Sequence, residues 1–89
     1  MNYTVIWETG VRRELARIWI ADEDPAAIRR TAETIEHILS LNPAINGKHL
    51  CEGLWKVFMP PLAVYYSFDE VDRRVEISNV ARTLASDHP

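Results

Sequence analysis

Apolar and polar positions alternate along the first stretch of the chain, with Tyr3, Val5 and Trp7 on one side and Thr4 and Ile6 on the other. That period of two predicts a strand over Asn2 to Trp7, and apolar residues on both sides predict cover on more than one face. Thr9-Gly10 marks a break. Val11, Leu15 and Ile18 then recur at i, i+4 and i+7 with Trp19 alongside, so Glu8 to Ala21 reads as an amphipathic helix. Asp22-Glu23-Asp24-Pro25 is a boundary. Asp24 is placed to cap free amides, and Pro25 suits the first helical position because its missing N–H would be unpaired there anyway. Ile28, Ala32, Ile35 and Leu39 carry a second helical stripe with Ile38 beside it, and Arg29 and Glu33 form an i, i+4 pair on the exposed side. Asn42-Pro43 ends this helix, since the residue before a proline disfavours helical backbone. Two helices joined by so short a turn form an antiparallel hairpin.

The period changes after Gly47. His49 and Cys51 alternate with Leu50, and beyond Gly53 the segment Leu54 to Met59 reads as a strand. Pro60-Pro61 forces a bend and removes two donors, so pairing stops there. Leu62 to Phe68 is strongly apolar and predicts a central strand. Asp69-Glu70-Val71-Asp72 is a polar turn, Arg73 to Val80 is the returning strand, and Ala81 to Pro89 is a short tail. The order is β-α-α-β-β-β. An α+β fold, with an antiparallel sheet and the helical hairpin packed on one of its faces, buries every apolar stripe.

Length changes this picture little: 89 residues suffice for one domain, here spanning 1–89, with a modest core. Cys51 is the lone cysteine and has no internal disulfide partner, which fits a reducing compartment. No segment approaches the roughly 20 apolar residues of a membrane span, and Met1-Asn2-Tyr3-Thr4 lacks the character of a signal peptide. The expectation is a cytoplasmic protein with no membrane partner. A formal net charge of −3 argues against a general nucleic-acid coat. The pairs Arg12-Arg13, Arg29-Arg30 and Arg73-Arg74 read as solvated faces of three separate elements.

Several of these features in order resemble the RelE/ParE superfamily, the toxins of bacterial type II toxin–antitoxin systems. The residues that carry the resemblance begin with Tyr3-Thr4-Val5-Ile6-Trp7, the Glu14-Leu15 to Ile18-Trp19 helix, and Ile35 to Leu39 leading into Asn42-Pro43. They continue through Gly47, Leu50, Glu52-Gly53-Leu54, Val64-Tyr65-Tyr66 and Arg73-Arg74-Val75-Glu76-Ile77 to Val80. The resemblance implies a cognate antitoxin partner that masks the active surface, and a target that is either the ribosome with its mRNA or DNA gyrase. It implies no cofactor and no metal.

Nuclease members of that superfamily cut mRNA by in-line attack of a ribose 2′-hydroxyl. This requires a proton acceptor, a proton donor and cations for the developing phosphorane charge. By resemblance the candidate catalytic residues are Lys56 and Arg82, with Lys48 just upstream and His88 in the tail. The chain departs from the nuclease pattern at Ala63, where an arginine is common, at Trp55, where many relatives carry a basic residue, and at Pro60-Pro61. The departures favour the gyrase-poisoning branch or weakened cleavage. The plain alternative makes Lys56 a solvated strand residue and Arg82 a solvated tail residue, in a non-enzymatic binding module. Tyr65 and Tyr66 must point to opposite faces, one to the core and one outward. His49 and Cys51 lack the spacing of a metal site and read as core packing. No orienting group accompanies Cys51 as a nucleophile, Asp69, Glu70 and Asp72 read as a soluble turn, and no glycine-rich phosphate loop is present.

Overall fold

The computed structural model describes residues 2–83. Local chemistry sets the helix limits where the sequence places them. Helix α1 runs Thr9–Ala21 and helix α2 runs Pro25–Leu41. The Asp24 carboxylate accepts the Ala27 N–H at 3.2 Å and Pro25 opens α2. At the far end the Asn42 side chain accepts the N–H groups of Ala44 and Ile45, and turns the chain away after α2. Gly10 lies within the first turn of α1, so Thr9-Gly10 starts that helix and does not interrupt it. The Arg29–Glu33 pair forms on the exposed side at 3.9 Å.

The strands are β1 (Thr4–Trp7), β2 (Lys48–Cys51), β3 (Leu54–Met59), β4 (Leu62–Asp69) and β5 (Arg74–Arg82), arranged in one sheet in the order β1-β5-β4-β3-β2. The expected α+β order is present with one short edge strand added. Residues 48–51 pair antiparallel with β3 because Gly53, at φ +75, makes the sharp return that this hairpin needs. Strands β2 to β5 form an antiparallel meander, and β1 pairs with β5 in parallel, which makes the sheet mixed. The bend at Pro60-Pro61 is the hairpin turn itself: that peptide bond is cis, and Met59 and Leu62 pair directly across it. The Asp69 carboxylate accepts the N–H groups of Val71 and Asp72 in the next turn.

One face of the sheet carries the core. Val57, Leu62, Val64, Tyr66, Val75, Ile77 and Val80 meet Val11 of α1 and Ile28, Ala32, Ile35 and Leu39 of α2. The four α2 residues are the stripe read from the sequence. Trp7 closes one end of the core, and its indole N–H donates to Glu36 at 2.8 Å. Tyr66 is fully buried, and its hydroxyl donates to the Pro43 carbonyl at 2.6 Å, tying the centre of the sheet to the loop after α2. Burial pushes this phenol's pKa up to about 12, since a charged phenolate is poorly solvated there. No helix among the described residues is long and apolar enough to cross a membrane.

Candidate functional site

The face of the sheet turned away from the helices has no layer over it among the described residues. Strand alternation and cross-strand register decide which side chains it presents. Lys48 stands opposite Lys56, and Lys56 opposite Tyr65, so a row of two lysines and a tyrosine crosses three strands on this open face. The Lys56 ammonium lies 5.5 Å from the centre of the Phe58 ring and 5.6 Å from that of Tyr65. Such cation–π contacts contribute about 0.5–1 kcal/mol each at exposed sites and hold the amine over the aromatic pair. Ala63, on the same face, is 4% exposed between these neighbours and brings no charge. Tyr65 was legible in the sequence only as one of two opposed tyrosines; register places it beside Lys56.

Arg82 is elsewhere. It belongs to β5, two residues beyond the predicted end of that strand, and pairs with Leu62, a core residue. Its side chain therefore rises from the helix-bearing face. There it donates to the carboxylate of Asp22, in the turn between the helices, and to the Thr83 carbonyl. The structure brings Lys48 and Lys56 together and leaves Arg82 on the other face in an ion pair. His88 lies outside the described residues.

Asp22 is held below the ordinary carboxylate range, first by the Asp24 N–H at 2.9 Å and then by Arg82. A lowered pKa means that the fold favours the ionised form, so this stabilisation is present above the ordinary value of 3.8 and is lost as pH falls through the lowered one. Asp22→Asn is accordingly expected to unfold at lower urea than the native chain at about pH 6, with the gap narrowing as pH falls below the ordinary value of 3.8. A gap that stays constant across this range would remove Asp22 ionisation as its cause.

A second surface is the groove between α1 and α2, with a volume of about 610 Å³. Trp7, Leu15, Trp19, Ile28 and Ala32 line it, and Arg12 and Glu36 stand at its rim. Trp19 is 44% exposed, a large apolar area left open to water. His49 and Cys51 correct the core-packing expectation. Both are exposed on β2, because that strand is the sheet edge and no helix covers it, and the His49 ring leans on Trp55 at 4.8 Å. Trp55 itself packs toward the core side against Phe68. Among the described residues no group of three or more His, Cys, Asp and Glu comes together to hold a metal. The tandem arginines are exposed apart from Arg73, whose guanidinium stacks on Tyr3 at 4.9 Å.

A helical hairpin on one face of a mixed five-stranded sheet, with the opposite face open, defines the RelE-like α+β fold. The likeness extends to a chain of the RelBE2 toxin–antitoxin complex from Mycobacterium tuberculosis, which superposes with a TM-score of 0.77 at 25% identity, over 92% of this chain and 99% of that one. The resemblance to the RelE/ParE superfamily thus holds in three dimensions, and the chain has a RelE-type toxin fold. No family model and no curated protein matches the sequence.

Proposed function

We propose that this chain is the toxin of a toxin–antitoxin pair, neutralised by a cognate antitoxin, and that it arrests growth by binding a target, in the manner of the gyrase-poisoning branch. The fold shared with a component of RelBE2 supports the first half of this reading. The observation that carries the second half is the placement of Arg82. An in-line phosphoryl transfer needs its cations gathered around one phosphate, and losing one such group costs roughly 3 kcal/mol of transition-state stabilisation. Here one candidate cation is ion-paired to Asp22 on the helix-bearing face, while Lys48 and Lys56 occupy the open face.

The Lys48–Lys56–Tyr65 row favours a second reading, weak ribosome-dependent cleavage of mRNA, because two amines and a phenol lie together where a phosphate could rest. Expression of the chain alone under tight induction, with growth and the integrity of a reporter mRNA followed together, separates the two. Arrest with intact mRNA is the expected result. Transcript cleavage that disappears in Lys48→Ala with Lys56→Ala would replace binding by nuclease action. Normal growth with a folded product would leave an inactive module acting only through its antitoxin.

A further inference from the structure

The groove between α1 and α2 shares one surface with a ridge, the solvent side of α1. On that side Trp19 is 44% and Ile20 73% exposed. At about 3.6 residues per turn, Arg12, Ala16 and Trp19 form one stripe, with Ile20, Arg13 and Arg17 on its outer flank. Glu33 and Glu36 stand on the α2 wall. Trp7 fixes two groups at the rim: its carbonyl accepts the Arg12 Nε–H at 3.2 Å, and its indole N–H donates to Glu36 at 2.8 Å. Arg12 and Glu36 are therefore level with each other along the groove. They form no ion pair together, and neither has another among the described residues. Ala16 and Ala32 line the groove with small side chains and leave room for a third helix to come close.

We propose that this surface binds a second copy of the chain, the two helical hairpins packing about a two-fold axis with α1 of each copy laid in the groove of the other. A two-fold contact needs a patch that complements itself. This one carries both a ridge and a groove, with cations on the α1 wall and carboxylates on the α2 wall. In an antiparallel contact of the two α1 helices, centred between Leu15 and Ala16, Arg12 faces Trp19 of the second copy and Trp19 faces its Arg12. Each guanidinium then lies against an indole, and the small Ala16 side chains let the helices close. The second copy's α1 runs parallel to α2. Its Trp19 is level with Arg12 and hence with Glu36, so its Arg17, two residues earlier, falls alongside Glu33. Its Ile20 turns toward α2 and loses its exposure. In the single chain Arg17 and Glu33 have only surface partners, Glu14 at 3.4 Å and Arg29 at 3.9 Å. Exposed pairs of this kind contribute little, so exchanging them costs little. A helix from another protein would need the same ridge and the same charges, and α1 already presents them here. The contact lies across the sheet from the lysine row, so the inference stands whether the chain poisons a target or cuts RNA.

The test is sedimentation equilibrium of the purified full chain across the micromolar range, where a reversible monomer–dimer equilibrium is expected. Trp19→Ser should weaken association about thirtyfold or more, and Ala16→Glu should abolish it. Both positions are exposed, so circular dichroism of the two variants should stay native. Arg17→Glu and Glu33→Arg should each weaken the dimer, because each sets like charges together. An equimolar mixture of these two variants should dimerise again, since both contacts of the mixed pair then join opposite charges. The proposal fails if the chain stays monomeric throughout the range, if the dimer survives Ala16→Glu, or if the mixture forms no more dimer than either variant alone. It is overturned equally if the chain stays monomeric while a synthetic amphipathic helix shifts the Trp19 indole resonance, which would assign the groove to a different protein.

Discussion

Replacing Gly47 by alanine is expected to destabilise the chain by about 3 kcal/mol and lower its thermal midpoint by roughly 15 °C. A methyl group built on Gly47 would sit 1.6 Å from the Tyr66 hydroxyl oxygen and 2.7 Å from the ring carbon that bears it. Tyr66 cannot swing aside, because it is fully buried and its hydroxyl is held by the Pro43 carbonyl. Overpacking of this kind costs about 1–3 kcal/mol, and losing a buried hydrogen bond adds about 1–3 kcal/mol. Against this, alanine restricts the unfolded chain and returns only about 0.4–1 kcal/mol. The clash wins. Differential scanning calorimetry of Gly47→Ala, Tyr66→Phe and the double variant checks the cause. If the clash is with the hydroxyl, the double variant loses less than the sum of the two single losses. Strict additivity would place the fault elsewhere.

Ile77→Ala is expected to cost about 3–4 kcal/mol, whereas Ile6→Ala should cost about 1 kcal/mol. Both residues are isoleucines on paired strands, but they face different ways. Ile77 is fully buried on β5, opposite Trp7 on one side and Tyr66 on the other. Truncation there opens a cavity walled by two large aromatic residues that cannot collapse into it. Ile6 pairs with Glu76 on the open face and is only half-buried, so water fills the space that its side chain leaves. A chain of this size has total stability on the order of 5–10 kcal/mol, so the first change removes a large part of it. Urea unfolding midpoints at equal m-value measure both. Equal losses at the two sites would contradict the one-sided core.

The helices were legible because their signals are local. Asp24 and Pro25 act within one turn, and Asn42-Pro43 stops α2 through the backbone of adjacent residues. The stripe Ile28, Ala32, Ile35 and Leu39 needs only the helical period to identify it, and all four are buried. Strand β2 was harder to see. Four exposed residues carry no apolar alternation that burial would enforce, and the strand exists because a glycine turn folds it back onto β3. His49 and Cys51 were misplaced for the same reason, since an edge strand exposes residues that a central strand would bury.

The candidate site depended more heavily on tertiary information. Lys48 and Lys56 are eight positions apart, and their meeting follows from the β2–β3 register. Arg82 belongs to a strand only because Leu62, on the neighbouring strand, extends the pairing that far. A register shift between Tyr65 and Tyr66 against β5 also changes the count of residues along that strand, which simple alternation cannot detect.

The sequence by itself determined the two helices, their shared turn, strands β3 to β5 of the meander and the apolar stripes that build one core, because each rests on interactions within a few residues. Tertiary structure alone decided that β1 lies parallel to β5, that β2 and β3 form the open edge, and that Arg82 joins Asp22 and not the lysines. Those outcomes depend on pairing between segments far apart in the chain, where each strand takes the face and the register that bury its neighbours' side chains as well as its own.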